Sequence, residues 1–143
     1  MKTITCLIVA GFLIGTTQTV NAQCSPDEWV SQCIPKLTGD FNFLKSYQID
    51  GHGGERPKIE YSYVFTKGTQ YMINICGEGA DTGGVVVTLF NSDRKKLASS
   101  LINGQYISAI AYPCNSTGIY YLTYTFENSD KYCGGSVLGF KRG

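Results

Sequence analysis

The chain has 143 residues, a formal net charge of +1, ten tyrosines, seventeen glycines, six cysteines and a single histidine. That length suits one domain with a real hydrophobic core. The near-neutral balance leaves no basic face to hold a phosphate backbone, which argues against nucleic acid as a partner.

Residues 1–22 read as a secretory signal peptide. Lys2 gives a positive start, an apolar stretch runs from Ile4 to Ile14, and Val20-Asn21-Ala22 supplies a small-residue cleavage pattern. The apolar stretch is too short for a permanent membrane helix. Cleavage after Ala22 is predicted, and Gln23 before Cys24 argues against a lipidated cysteine. The expected product is one domain, 23–143, exported to the periplasm or the extracellular space, with no membrane span. Without Lys2 the basic residues number eleven and match the eleven acidic ones.

The first element of that domain is a short helix. Ser25 and Glu28 stand at capping-box spacing and Pro26 suits the first helical position. Trp29, Cys33 and Leu37 recur on one face, with Val30 and Ile34 beside them, and Pro35 ends the regular helix near Ile34. Trp29 is the only tryptophan and is expected to pin the helix over one end of a sandwich.

Strands follow. Phe41 to Ile49 is rich in aromatic and β-branched residues. The loop DGHGGERP leads to KIEYSYVFT, in which Ile59, Tyr61, Tyr63 and Phe65 alternate with polar residues. TQYMINIC places Tyr71, Ile73 and Ile75 on one face. After GEGADTGG, VVVTLF is apolar on both faces and reads as central. LASSLI, YISAIAYPC, IYYLTYTF and SVLGFK complete the set, separated by Gly, Asn, Asp and Ser turns. Arg94-Lys95-Lys96 falls in one of those turns and is too small a group for a binding patch. The pattern predicts an all-β chain: a jelly-roll-like antiparallel sandwich of about eight strands with one short N-terminal helix.

Five cysteines remain after Ala22: Cys24, Cys33, Cys76, Cys114 and Cys133. Export makes disulfides the expected state. An odd count leaves one thiol over, and spacing alone leaves the pairing open. Cys76 and Cys114 both sit near C-terminal strand ends, which favours that pair. Cys33 with Cys133 would tie the helix to the last strand, and Cys24 would be the free or intermolecular thiol.

From Lys58 to Phe140 the phrases fall in a familiar order. Lys67-Gly68 forms a turn after a strand, a strand ends at Gly77, a hairpin runs from Val87 to Ser100, and Thr117-Gly118-Ile119-Tyr120-Tyr121-Leu122 follows. This resembles the bacterial pre-peptidase C-terminal (PPC) domain. The cysteines, the helix and the turn NSDRKK depart from that family's pattern. The resemblance implies a free-standing, exported bacterial sandwich with a binding or targeting role and no catalysis. It also implies that some relatives bind calcium through loop carboxylates.

Candidate sites are few. His52 lies in a Gly-rich loop with no triad spacing around it, so no enzyme activity is expected. Glu78 and Asp81 offer a weak calcium set, because calcium takes six to eight oxygens. No cofactor is expected. Tyr120 and Tyr121 are adjacent and must face opposite sides of a strand. With Trp29 and His52 they are the candidate ligand or interface contacts. The expected function is a non-catalytic binding module acting through protein contacts, as a subunit or accessory of a cell-envelope or secretion assembly. The alternative is a carbohydrate- or matrix-binding module using surface tyrosines.

Overall fold

The computed structural model describes Gly15 and residues 23–77, 82–128 and 130–143. The signal-peptide expectation therefore falls almost wholly outside the described residues. The elements are α1 (Pro26–Cys33), β1 (Asn42–Asp50), β2 (Lys58–Phe65), β3 (Thr69–Gly77), β4 (Val85–Phe90), β5 (Lys96–Ser99), β6 (Leu101–Ile102), β7 (Gln105–Tyr106), β8 (Ala109–Pro113), β9 (Gly118–Phe126) and β10 (Cys133–Arg142).

Two antiparallel four-stranded sheets form a jelly-roll sandwich. Sheet I has the order β1-β10-β3-β8 and sheet II the order β2-β9-β4-β5. Successive strands mostly cross from one sheet to the other, which is how a jelly roll is wound. Its eight strands correspond to the eight predicted. The additional pair, β6 and β7, arises because two predicted strands are each interrupted. Ser100 breaks the first by turning its hydroxyl to accept the Val87 N–H at 2.9 Å. Ile107 and Ser108 break the second.

The alternation read in the sequence becomes the core. From sheet II, Ile59, Tyr61, Tyr63 and Phe65 of β2 and Tyr120, Leu122 and Tyr124 of β9 pack against Tyr47 and Ile49 of β1 and Tyr71, Ile73 and Ile75 of β3 from sheet I. Phe65 stacks between Tyr71 and Tyr120, with ring centroids 3.9 and 4.7 Å away. Seven tyrosines join this cluster: Tyr47, Tyr61, Tyr63, Tyr71, Tyr112, Tyr120 and Tyr124. Buried hydroxyls need partners. Tyr124 donates to Ser136 Oγ at 2.8 Å, and Ser136 Oγ donates to the Asn74 carbonyl at 2.8 Å.

The helix does not sit over an end of the sandwich. It lies flat along the outer face of sheet I. A Cβ on Gly135 would stand 2.5 Å from the Val30 nitrogen, and one on Gly139 would stand 2.7 Å from Leu37 Cδ2. Glycine at these two positions lets the helical segment reach the strand. Helix at about 1.5 Å per residue from Cys24 to Leu37, and strand at about 3.3 Å per residue from Cys133 to Gly139, both cover roughly 20 Å. The two therefore run side by side. Cys33, Cys76 and Val137 make a second small core with Trp29, Val30 and Leu37 packed on it. The predicted stop at Pro35 is present, since regular helix ends at Cys33 and a tight turn covers Ile34–Lys36. The capping box is not formed, because the Ser25 side chain makes no capping bond.

The disulfides differ from those expected. Cys24 joins Cys133, Cys33 joins Cys76, and Cys114 is the free, buried thiol. The expected Cys76–Cys114 bridge fails on topology. β3 and β8 are antiparallel neighbours, so their C-terminal ends lie at opposite ends of the sheet. Cys33 misses Cys133 because the flat helix carries it past that strand's start to β3, leaving Cys133 beside Cys24.

Candidate functional site

The sites read from the sequence scatter across the molecule. Tyr120 is 4% exposed, and its hydroxyl donates to the Ser116 carbonyl at 2.7 Å. Burial pushes that hydroxyl's pKa well up. Tyr120 is therefore a core residue, which corrects its place among the candidate contacts. Tyr121 faces outward as its neighbour's burial requires, but it is already covered. The Arg94 guanidinium stacks 3.6 Å from its ring centroid and binds Glu60 Oε2 at 2.8 Å. Glu60 also accepts from Thr123 Oγ1 at 3.0 Å. The bond from Arg94, more than that from Thr123, holds the Glu60 carboxyl below the usual carboxylate range. Arg94 takes a left-handed backbone, φ 62°, at the turn before β5, and that turn lays its side chain across sheet II.

His52 also takes a left-handed backbone, φ 48°. Its N–H donates to Asp50 Oδ1 at 2.9 Å, and its Nε2 lies 3.5 Å from Asp50 Oδ2. The loop beneath is pinned by Phe126 and Tyr132, whose rings meet edge-on at 5.3 Å. Trp29 is half-buried against the small core under the helix. Glu78 and Asp81 lie outside the described residues, and among the described residues no group of three acids, histidines and cysteines could hold a metal.

A concavity lies elsewhere. A cleft of about 620 Å³ is lined by Thr82, Gly84, Tyr106, Ile107, Ser108, Ala109, Glu127 and Asn128. One wall is the β6–β7 hairpin. Its turn, Asn103-Gly104, has φ of 49° and 77° at the two central residues. Positive φ at both is the requirement of a type I′ turn, which Asn-Gly meets best. The hairpin is tied down at its base, where Ile107 N–H donates to the Ser100 carbonyl at 2.8 Å. The Tyr106 hydroxyl reaches the Glu127 carbonyl across the cleft at 3.3 Å. Tyr106 and Ile107, which line it, are 39% and 38% exposed. Large apolar side chains grouped around a concavity are what a binding surface presents.

Sequence reading placed Tyr106 on a strand and NGQ in a turn but did not single out either. The signal was there. Asn-Gly between two short β runs that each carry an isoleucine or a tyrosine predicts a hairpin with little of its own to pack on.

No protein-family model matches the chain, and no curated protein matches it. The PPC resemblance thus stands on the residues that carry it. Two disulfides fit an oxidising compartment. No helix among the described residues is long and apolar enough to cross a membrane.

Proposed function

We propose that this is an exported, non-catalytic binding module that works through protein contacts and seats its partner in the cleft beside the β6–β7 hairpin. The observation that carries the reading is that exposed Tyr106 and Ile107 stand together in the lining of one cleft. Aromatic and apolar groups at the centre of a concave patch, with a polar rim of Ser108, Glu127 and Asn128, suit a protein interface. The resemblance of Lys58–Phe140 to the PPC domain supports a binding role and a place as accessory or subunit of a bacterial envelope or secretion assembly. The single histidine, occupied by Asp50 in a loop, supports the non-catalytic reading.

The test is affinity capture from native culture medium and envelope extract, comparing the wild type with a Tyr106→Ser, Ile107→Ser variant of unchanged melting temperature. A partner held by the wild type and released by the variant is expected. Identical capture by both proteins would discard the cleft as the site.

A carbohydrate reading has one observation in its favour. Tyr106, Ser108 and Asn128 line the same cleft, and aromatic rings with nearby polar groups can hold sugars. Binding on a glycan array that vanishes with Tyr106→Ala would establish it, and a blank array would end it.

A further inference from the structure

Resting on that reading of the cleft, we propose that its occupant is an extended peptide that adds to β8 as a fifth strand of sheet I and sets a lysine or arginine against Glu127. β8 is an edge strand. Asn74 pairs with Ala109, and Ile75 N–H donates to the Ser108 carbonyl at 2.9 Å. That bond fixes the phase of the ladder. Asn74–Ala109 is a non-hydrogen-bonded pair, so the N–H and C=O of Ala109 point away from β3. Alternation puts Ala111 in the same phase, while Ile110 and Tyr112 bond to β3. Pro113, next in phase, has no N–H and ends the row of donors. Among the described residues no turn or loop hydrogen bond engages the Ala109 or Ala111 N–H.

The row is open sterically as well. Ala109 and Ala111 turn their methyl groups to solvent on the outer face, and both are exposed. Edges are usually blunted by charge, proline or a bulge. β1 carries a register shift between Phe43 and Lys45, and β5 has four residues opposite a shift in β4. β2 carries Lys58 and an Arg94-bound Glu60. β8 has only Pro113, at the end remote from the cleft. A strand laid along Ala111 and Ala109 runs on into the cleft at Ser108, Ile107 and Tyr106.

Charge selects what enters. Among the described residues, Glu127 is the only one with a carboxylate side chain lining the cleft, and no lysine, arginine or histidine lines it. A cation there meets the Glu127 carboxylate and the face of the Tyr106 ring. Main-chain bonds to an edge supply affinity and alternate side chains supply specificity, which is recognition by strand addition. Two donor residues beside a projecting hairpin fit a single extended chain better than the broad edge of a second copy.

The experiment selects peptides of about seven residues, a length that can span the edge and cleft, from a random displayed library against the disulfide-intact protein. Enriched peptides are expected to carry lysine or arginine. Their binding should slow amide hydrogen exchange at Ala109 and Ala111 by about tenfold or more and should be lost on N-methylation of alternate peptide amides. Glu127→Lys should weaken binding about threefold to tenfold, the size of one partly exposed charge pair. A selection without binders overturns the proposal. So do binders that leave the Ala109 and Ala111 amides exchanging as before, or that are indifferent to Glu127→Lys. Protection of those amides in the protein alone that disappears on dilution would assign the edge to a second copy instead. If partner capture still depends on Tyr106 and Ile107 while the peptide results fail, only strand addition falls. If capture is indifferent to both residues, the cleft reading itself falls.

Discussion

Two tyrosines on the inner faces of the sandwich have opposite hydrogen-bonding fates. Tyr124 donates to Ser136 and is part of a buried chain ending at the Asn74 carbonyl. Tyr47 is 2% exposed, and its hydroxyl has no partner among the described residues. Burial pushes the pKa of both hydroxyls up, so both are neutral at any ordinary pH. A satisfied buried hydrogen bond contributes about 1 kcal/mol net, whereas an unsatisfied hydroxyl only costs. Tyr124→Phe should therefore destabilise by about 1 kcal/mol in denaturant melts. Tyr47→Phe should be neutral or stabilising. Equal losses in both would show that Tyr47 finds a buried water. Strand alternation made the inward direction of both residues legible in the sequence. It could not tell them apart, because the partner of Tyr124 lies on the opposite sheet, twelve residues along the chain.

The helix is the element whose existence was legible and whose place was not. Pro26, the apolar spacing and Pro35 act within a few residues and fixed its limits. Its position depends on Gly135 and Gly139, roughly a hundred residues later, whose missing side chains make a track on sheet I. Read locally, Gly135 fell in a Gly-rich loop and Gly139 inside the last strand, and neither pointed to a helix. The cysteine pairing went astray for the same reason, since a helix lying flat brings different cysteines together than one standing at an end. The packing gives a direct test. Gly135→Ala places a Cβ 2.5 Å from the Val30 nitrogen and 2.9 Å from the Trp29 carbonyl carbon. Helix backbone cannot give way as a flexible side chain would, so the helix must lift. We expect a cost of about 1–3 kcal/mol, as for overpacking in a core, and a red shift of Trp29 emission with easier quenching. Unchanged emission would mean that the helix does not rest on β10.

At the scale of the whole molecule, the two disulfides tie the helical segment to the sandwich at both ends. Cys24–Cys133 spans 109 residues and Cys33–Cys76 spans 43. Cross-links over such loops restrict the unfolded chain strongly, by about 4 kcal/mol each in the chain-entropy account. The neutral, mixed surface adds little, because exposed ion pairs such as Arg94–Glu60 contribute weakly. Stability should thus depend on oxidation: reductant is expected to lower the melting temperature by well over ten degrees, on a scale of about 4–8 °C per kcal/mol at the small end of domain size. Cys114, the unpaired cysteine among the described residues, sharpens the experiment. Cys114 is 3% exposed and its thiol faces the Ser116 carbonyl at 3.2 Å, so alkylating reagents should not reach it in the fold. Non-reducing mass spectrometry of the native protein should show two bridges and no label. Denaturation without reductant should add one label to residues 23–143, and peptide mapping should place it on Cys114. A label on Cys24, or rapid labelling of the native protein, would refute the pairing. An unchanged melt in reductant would refute the claim that the bridges hold the helix and sandwich together.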